Sequence, residues 1–176
     1  MPKYYRTKIL LNNSCDLMII RQIQPKDAAT MADIVRQVIL EVKIPTIGTA
    51  FEDKSLEDLY SAYQGKGAAY FVIEHNGAVV GGAGIDTLQG GDENICELQK
   101  MYFLPKARGK GFGRRLIEVC LTLAKSMGYA YCYIETMQTM TAARSLYKKA
   151  GFTALENPIG ATGHCSCEIW MIKALN

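Results

Sequence analysis

The sequence predicts one α/β domain, and three observations carry that prediction. With 176 residues of which 49% are hydrophobic, the chain can bury a core without metal or disulfide staples. Short β-type apolar runs alternate with segments whose apolar residues recur at helical spacing. No repeat, linker or low-complexity tract interrupts the pattern, so residues 1–176 read as a single unit with 1–16 as an N-terminal extension.

Leu17 to Ile23 forms the first expected strand. Pro25-Lys26-Asp27 supplies turn and N-cap chemistry before Met31, Ile34, Val35, Val38 and Val42 mark a helix. Ser55 stands three residues before Asp58, a capping-box variant for a short helix carrying Leu56, Leu59, Tyr60 and Tyr63. Tyr70 to Ile73 and Val79 to Ile85 flank His75-Asn76-Gly77, a strong hairpin signal. Gly81-Gly82-Ala83-Gly84 weakens regular strand packing and marks a close approach of another backbone. A fourth strand runs from Ile95 to Leu104 and stops at Pro105. The strongest helix follows, with Phe112, Leu116, Val119, Cys120, Leu123 and Met127 on one stripe and Gly128 as its stop. Tyr131 to Ile134 is the fifth strand, Thr141 to Lys149 the fourth helix and Gly151 to Ala154 the sixth strand. Cys165, Cys167, Ile169 and Met171 alternate with Ser166, Glu168, Trp170 and Ile172, which predicts the last strand over 165–172.

Composition removes several functional classes. The balance of 20 basic against 17 acidic residues argues against a nucleic-acid partner. The six cysteines contain no C-x-x-C pair, which fits reduced thiols in a cytoplasm. His164-Cys165-Ser166-Cys167 falls short of the roughly four ligands of a zinc site, because His75 is the only other histidine; no metal is expected. Neither a signal-peptide core nor an apolar run near the roughly 20 residues of a membrane span is present, so a soluble chain with no membrane partner is expected.

The most informative segment is Arg108-Gly109-Lys110-Gly111-Phe112-Gly113-Arg114, between a strand and the start of the longest helix. Unpaired N–H groups and the helix dipole favour an anion there. Three glycines remove Cβ atoms that would keep a phosphate from the amides, and Arg108, Lys110, Arg114 and Arg115 add counter-charge. The chemistry is pyrophosphate binding. A nucleotide P-loop is disfavoured because no Lys-Ser/Thr pair follows the glycines, and a dinucleotide fingerprint lacks its third glycine.

Arg108-x-x-Gly111-x-Gly113 resembles the [QR]-x-x-G-x-[GA] motif of the GNAT acetyltransferases. Met101-Tyr102-Phe103-Leu104-Pro105 resembles that family's fourth strand. Ala142 to Phe152, with Tyr147 and Gly151-Phe152, resembles its A-x-x-x-Y-x-x-x-G-F segment. The resemblance extends in element order from about Leu17 to Lys173. It implies a mixed, mostly antiparallel sheet of roughly seven strands, about four helices on both faces, and splayed fourth and fifth strands. It further implies acetyl-coenzyme A as cosubstrate and acetyl transfer to an amine through a ternary complex. The family also leaves room for a homodimer.

Carried over by position, the resemblance implies that Met101, Tyr102 and Phe103 pair with the pantetheine arm and that Arg108, Gly109, Lys110, Gly111, Phe112, Gly113 and Arg114 hold the pyrophosphate. A bulge near Met101 would aim an amide at the thioester carbonyl. Met140 stands where members of the family often carry a cofactor-contacting asparagine. Tyr147 is the implied acid for the departing thiolate. An amine of pKa about 10.4 needs a proton acceptor at pH 7. Glu97 and Glu135 both fall at positions where family members place a base, and Glu97 is favoured for its apolar neighbours and its strand parity with Met101. The loops 43–54 and 156–164, with Pro45, Thr46, Thr49, Phe51, Thr162 and His164, are the expected acceptor lining. Their neutrality points to a small-molecule amine. A peptide acceptor and a noncatalytic acyl-coenzyme A-binding module are the alternatives.

Overall fold

The computed structural model describes residues 6–10 and 17–175. In chain order the elements are β1 (Arg6–Leu10), β2 (Leu17–Gln22), α1 (Ala28–Glu41), α2 (Leu59–Ala62), β3 (Ala69–His75), β4 (Ala78–Thr87) and β5 (Ile95–Phe103). They continue with α3 (Phe112–Ser126), β6 (Tyr131–Thr136), α4 (Thr141–Lys149), β7 (Thr153–Leu155) and β8 (Ile169–Ala174). One sheet takes the order β1-β2-β3-β4-β5-β6-β8-β7, antiparallel throughout except for the β5–β6 pair. Seven of these strands correspond to those expected. The eighth, β1, is an edge strand inside the segment read from sequence as an extension.

The two faces of the sheet bury separate apolar sets. Leu116, Ile117, Cys120 and Ala124 of α3 and Tyr147 of α4 pack on Phe71, Ala83, Cys96 and Leu98. Met31, Ile34, Val35, Val38 and Ile39 of α1, with Leu59 of α2, pack on Tyr70 and Val72 from the other side. Apolar residues on both faces of β3 are why this strand reads as a continuous hydrophobic run rather than a period of two.

The parallel pair is short. β5 has nine residues, yet only Ile95, Cys96 and Glu97 pair with Tyr131, Cys132 and Tyr133. Beyond Glu97 the strands diverge, and β6 continues along β8 alone. The expected splay is therefore present, and it leaves the far half of β5 with one open edge.

Two local expectations are corrected. The short helix is capped by Asp58, whose carboxylate accepts from Ser61 N at 3.0 Å and Ser61 Oγ at 2.6 Å; Ser55 lies in a preceding single turn. The last strand begins at Ile169 rather than Cys165. Cys165 N donates to Gly163 O at 2.9 Å and Cys167 N to His164 O at 3.0 Å, so the chain curls there. Ser166 anchors this curl to the loop after α1, through Ser166 N to Gly48 O at 3.2 Å and Ser166 Oγ to Ile47 O at 2.9 Å.

Candidate active site

The site is organised by a bulge in β5. Gly84 pairs with Gln99 but Gly82 pairs with Tyr102, so β5 holds one extra residue, and Lys100 takes a left-handed φ of 48°. Parity reverses across it. Cys96 and Leu98 pack toward α3 before the bulge, and Met101 and Phe103 do so after it; Tyr102 packs on the α1 side. The bulge expected near Met101 is thus found, while the shared parity of Glu97 and Met101 is not: the extra residue puts them on opposite faces.

Two tyrosines hold this geometry. Tyr70 donates to Lys100 O at 2.8 Å, fixing the bulge carbonyl. Its ring lies against Gly82 and Gly84, where a methyl group would come within 2.6 Å of it. The glycine run in β4 therefore admits aromatic rings and also the close backbone approach expected there, since a Cβ would lie 2.6 Å from Tyr102 O at Gly81 and 2.6 Å from Phe71 O at Gly82. Tyr63 donates to Gln99 Oε1 at 2.7 Å, and Gln99 Nε2 donates to Glu97 Oε2 at 2.7 Å.

Glu97 is 3% exposed, and burial pushes its carboxyl up to about 7 against the opposing hydrogen bond from Gln99. Its second oxygen accepts no hydrogen bond among the described residues. Glu135 differs. Tyr133 donates to its Oε1 and Thr162 to its Oε2, each at 2.8 Å, so both oxygens are occupied. Donor atoms of Glu97, Glu135 and His164 all lie within 4.8 Å of one another. At that spacing the charge of Glu135 adds to the rise of the Glu97 carboxyl and that of His164 opposes it.

His164 enters from the curled loop. Its Nε2 lies 3.1 Å from Asp53 Oδ1, and Asp53 Oδ2 lies 2.6 Å from Lys100 Nζ. The hydrogen bond to Asp53 raises the imidazole pKa against the effect of burial. Burial would raise Asp53, but His164 and Lys100 together bring it below its ordinary value.

Across the opening between β5 and β6 the surface divides into three connected spaces. A cleft of about 460 Å³ is lined by Met101, Tyr102, Phe103, Arg108, Gly109, Gly111, Phe112, Gly113, Arg114 and Tyr147. A narrow neck adjoins it, sharing Met101, Met140 and Tyr147 with the cleft and lined also by Glu97, Glu135, His164 and Cys167. Past Glu97 it opens into a polar pocket of about 250 Å³.

The glycine loop fits a pyrophosphate, though not through three equivalent glycines. Gly109 and Gly111 take φ of 74° and 80°, a conformation L side chains rarely adopt, and a Cβ on either would meet only open space. Gly113 instead sits close to α4, where a Cβ would lie 2.8 Å from Leu146 Cδ2. Gly111 is the N-cap of the fifteen-residue α3, so free N–H groups face the cleft. Arg108 braces the loop from behind. It clamps Glu41 at 2.7 and 2.9 Å and donates to Phe103 O at 3.0 Å, tying the loop to α1 and β5. Arg114 pairs with Glu118 at 2.9 Å while lining the cleft; Lys110 does not line it.

The structure thus gathers Glu97, Glu135, Tyr147 and Met101 at one neck and the glycine loop at the adjoining cleft. Gln99, Lys100 and Cys167 also line this region, where sequence reading assigned them no role, and so does Asp53, which lies in the expected acceptor loop 43–54 but was not singled out within it. Only Gln99 carried a signal, as the same-face neighbour of Glu97 two residues on. The others are brought in by loops and by the bulge.

The residues 37–152 match the model of the acetyltransferase (GNAT) family. The chain is 40% identical over 158 residues to the uncharacterized N-acetyltransferase YjgM of Escherichia coli K12, covering 89% of this chain and 95% of that one. Among solved structures, a GNAT-family acetyltransferase of Staphylococcus aureus Mu50 superposes with a TM-score of 0.81 at 18% identity, over 90% of this chain and 99% of that one. The putative acetyltransferase yncA of Salmonella typhimurium, solved with its cofactor acetyl-CoA, superposes with a TM-score of 0.74 at 24% identity, over 90% and 94%. The chain belongs to the GNAT family and is an acetyltransferase. Among the described residues, no helix is long and apolar enough to cross a membrane.

Proposed function

We propose that this acetyltransferase moves the acetyl group of acetyl-coenzyme A directly onto the amine of a small molecule. One observation carries the reading: Tyr147 and Glu97 line one narrow space, which shares Tyr147 and Met101 with the cleft of the glycine-rich anion cradle and shares Glu97 and His164 with a separate polar pocket. Donor and acceptor thereby have distinct entrances and a common meeting point.

Acetyl-coenzyme A, when bound, supplies the acetyl group as an activated thioester. The amides of Gly109 to Gly113 and the α3 dipole hold its pyrophosphate, and the open edge of β5 at Met101, Tyr102 and Phe103 offers backbone donors and acceptors to its arm. Glu97 takes a proton from the acceptor ammonium. A carboxyl near 7 is half ionised at neutral pH and still basic enough to act. Glu135, with both oxygens engaged, holds the loop that carries Thr162 and His164. Tyr147 is buried, which raises its pKa and keeps the hydroxyl protonated for donation to the departing thiolate.

A covalent acyl-cysteine route is disfavoured. Cys167 lines the neck, but burial and the charges of Glu135, Glu168 and Glu97 push its thiol up to about 12. It remains a thiol, and the thiolate is the nucleophile. Both catalytic candidates also argue against a noncatalytic binding module, which needs neither. The acceptor pocket of about 250 Å³ has the scale of a small molecule, which favours one over a peptide. The test is acetyl-coenzyme A turnover across amino acids, polyamines, aminoglycosides and peptide N-termini. Turnover confined to peptides would overturn the small-molecule reading.

A further inference from the structure

The polar pocket beyond Glu97 contains a second carboxylate. Asp86 on β4 is the direct cross-strand partner of Glu97 on β5, and both line this pocket, so their side chains rise from the same face. Opposed residues of an antiparallel pair have Cβ atoms about 4.5–5.5 Å apart. Asp86 is partly buried; its Oδ1 accepts from Thr87 N at 2.7 Å, and no basic side chain forms an ion pair with it among the described residues.

Two of the three basic side chains of the pocket are already engaged. Lys100 Nζ is 2.6 Å from Asp53, and His164 is 3.1 Å from the same carboxylate. Lys54 lies exposed at the rim. What remains to meet a ligand is an oxygen of Asp86 and an oxygen of Glu97, with the Tyr63 and Gln99 side chains beside them. A partly buried carboxylate without a counter-ion is costly until a cation reaches it. Burial accordingly raises the Asp86 pKa against the partial relief given by the Thr87 amide and the charge of Lys100.

We propose that Asp86 is a specificity-determining residue and that the acceptor is a short aliphatic diamine. One nitrogen meets Glu97 and is acetylated; the second, still an ammonium, pairs with Asp86. Three or four methylenes place two nitrogens about 5 to 6 Å apart, close to the Cβ spacing of an opposed cross-strand pair. An acceptor carrying a carboxylate in place of the second ammonium would face Asp86 and be repelled.

This inference rests on the acetyl-transfer reading, and the experiment separates the two. Initial rates are measured with saturating acetyl-coenzyme A and five probes: 1,3-diaminopropane, putrescine, propylamine, butylamine and β-alanine. The diamines are expected to exceed their monoamine counterparts about 100-fold in kcat/KM, with β-alanine poorest. Asp86→Asn should raise the diamine KM about 10- to 100-fold, leave kcat and the monoamine kinetics near the parent values, and be partly corrected by Asp86→Glu. Such a split between KM and kcat would not follow from a folding defect, which circular dichroism checks independently. Monoamines turned over as well as diamines, a preference for β-alanine, or an unchanged diamine KM in Asp86→Asn would each overturn the diamine assignment while leaving acetyl transfer intact. Calorimetry with acetyl-coenzyme A tests the underlying reading on its own: absence of binding would remove both.

Discussion

The imidazole of His164 and the carboxylate of Asp53 meet at 3.1 Å although 111 residues separate them in the chain. The contact closes the two loops that flank the acceptor pocket, and it makes His164 a sensitive reporter of the site. The sequence contains two histidines, so proton NMR can follow each imidazole through a pH titration, with His164→Asn giving the assignment. The His164 pKa is expected above 6.5 and should fall in Asp53→Asn. The His164 contribution to stability is fully present below about 6.5 and is lost as pH rises through its raised folded value. The Asp53 contribution is present above about 3.8 and is lost as pH falls through its lowered folded value. A His164 titration unaffected by Asp53→Asn would show that the pair does not form.

Glu97 and Glu135 differ in how many oxygens are free, and this separates their roles in kinetics. With acetyl-coenzyme A saturating, kcat should rise with pH through about 7 as Glu97 ionises. Glu97→Gln should lower kcat by about 100- to 10,000-fold and remove that limb, as loss of a general base does. Glu135→Gln should cost less and preserve the limb. A larger loss for Glu135→Gln would move the base to β6.

The same buried carboxylate should cost stability. Its folded pKa lies above the usual value of 4.5, so the folded state loses stability as pH rises from about 4.5 to about 7, and the penalty is complete above that. Thermal melts of Glu97→Gln are expected to exceed the parent at pH 8 and to converge with it near pH 4. Equal melting temperatures at pH 8 would mean that Glu97 is well solvated.

Tyr147→Phe should keep acetyl-coenzyme A affinity and lower kcat by about 10- to 1000-fold, since a general acid acts only as the thiolate departs. The ring packs against Phe152 with centroids 6.1 Å apart, and phenylalanine preserves that contact. Unaltered turnover in a folded variant would reduce Tyr147 to a packing residue.

The glycines of the anion loop should fail in different ways. Gly111→Ala strains a backbone at φ 80° and should weaken acetyl-coenzyme A binding about tenfold with little change in fold, because the new methyl meets no neighbour. Gly113→Val should lose binding altogether, and here the cause is displacement of Leu146 and α4. Calorimetry beside circular dichroism distinguishes them. Parent-like affinity in both variants would remove the loop from the cofactor site.

The sequence by itself determined the element order, the hairpin at Asn76-Gly77 and the anion loop, because each depends on local signals: periodicity, turn chemistry and glycines next to a helix start. It also singled out Glu97, Glu135 and Tyr147, through position in a motif. Tertiary structure alone decided which glutamate keeps a free oxygen, since that depends on Tyr133 and on Thr162 from a distant loop. It also decided the reversal of parity at Lys100: the step from Leu98 to Met101 breaks the period of two in β5, but only the pairing of that strand with Gly82 and Gly84 shows that a bulge is the cause. The curl over Cys165 to Glu168 escaped for the same reason: its alternation suits a strand, but the hydrogen bonds that hold it lie partly with Ile47 and Gly48, more than a hundred residues earlier. Asp53, Lys100 and Asp86 acquire significance only as neighbours, from charges that the fold brings within reach of one another where burial leaves little solvent to screen them.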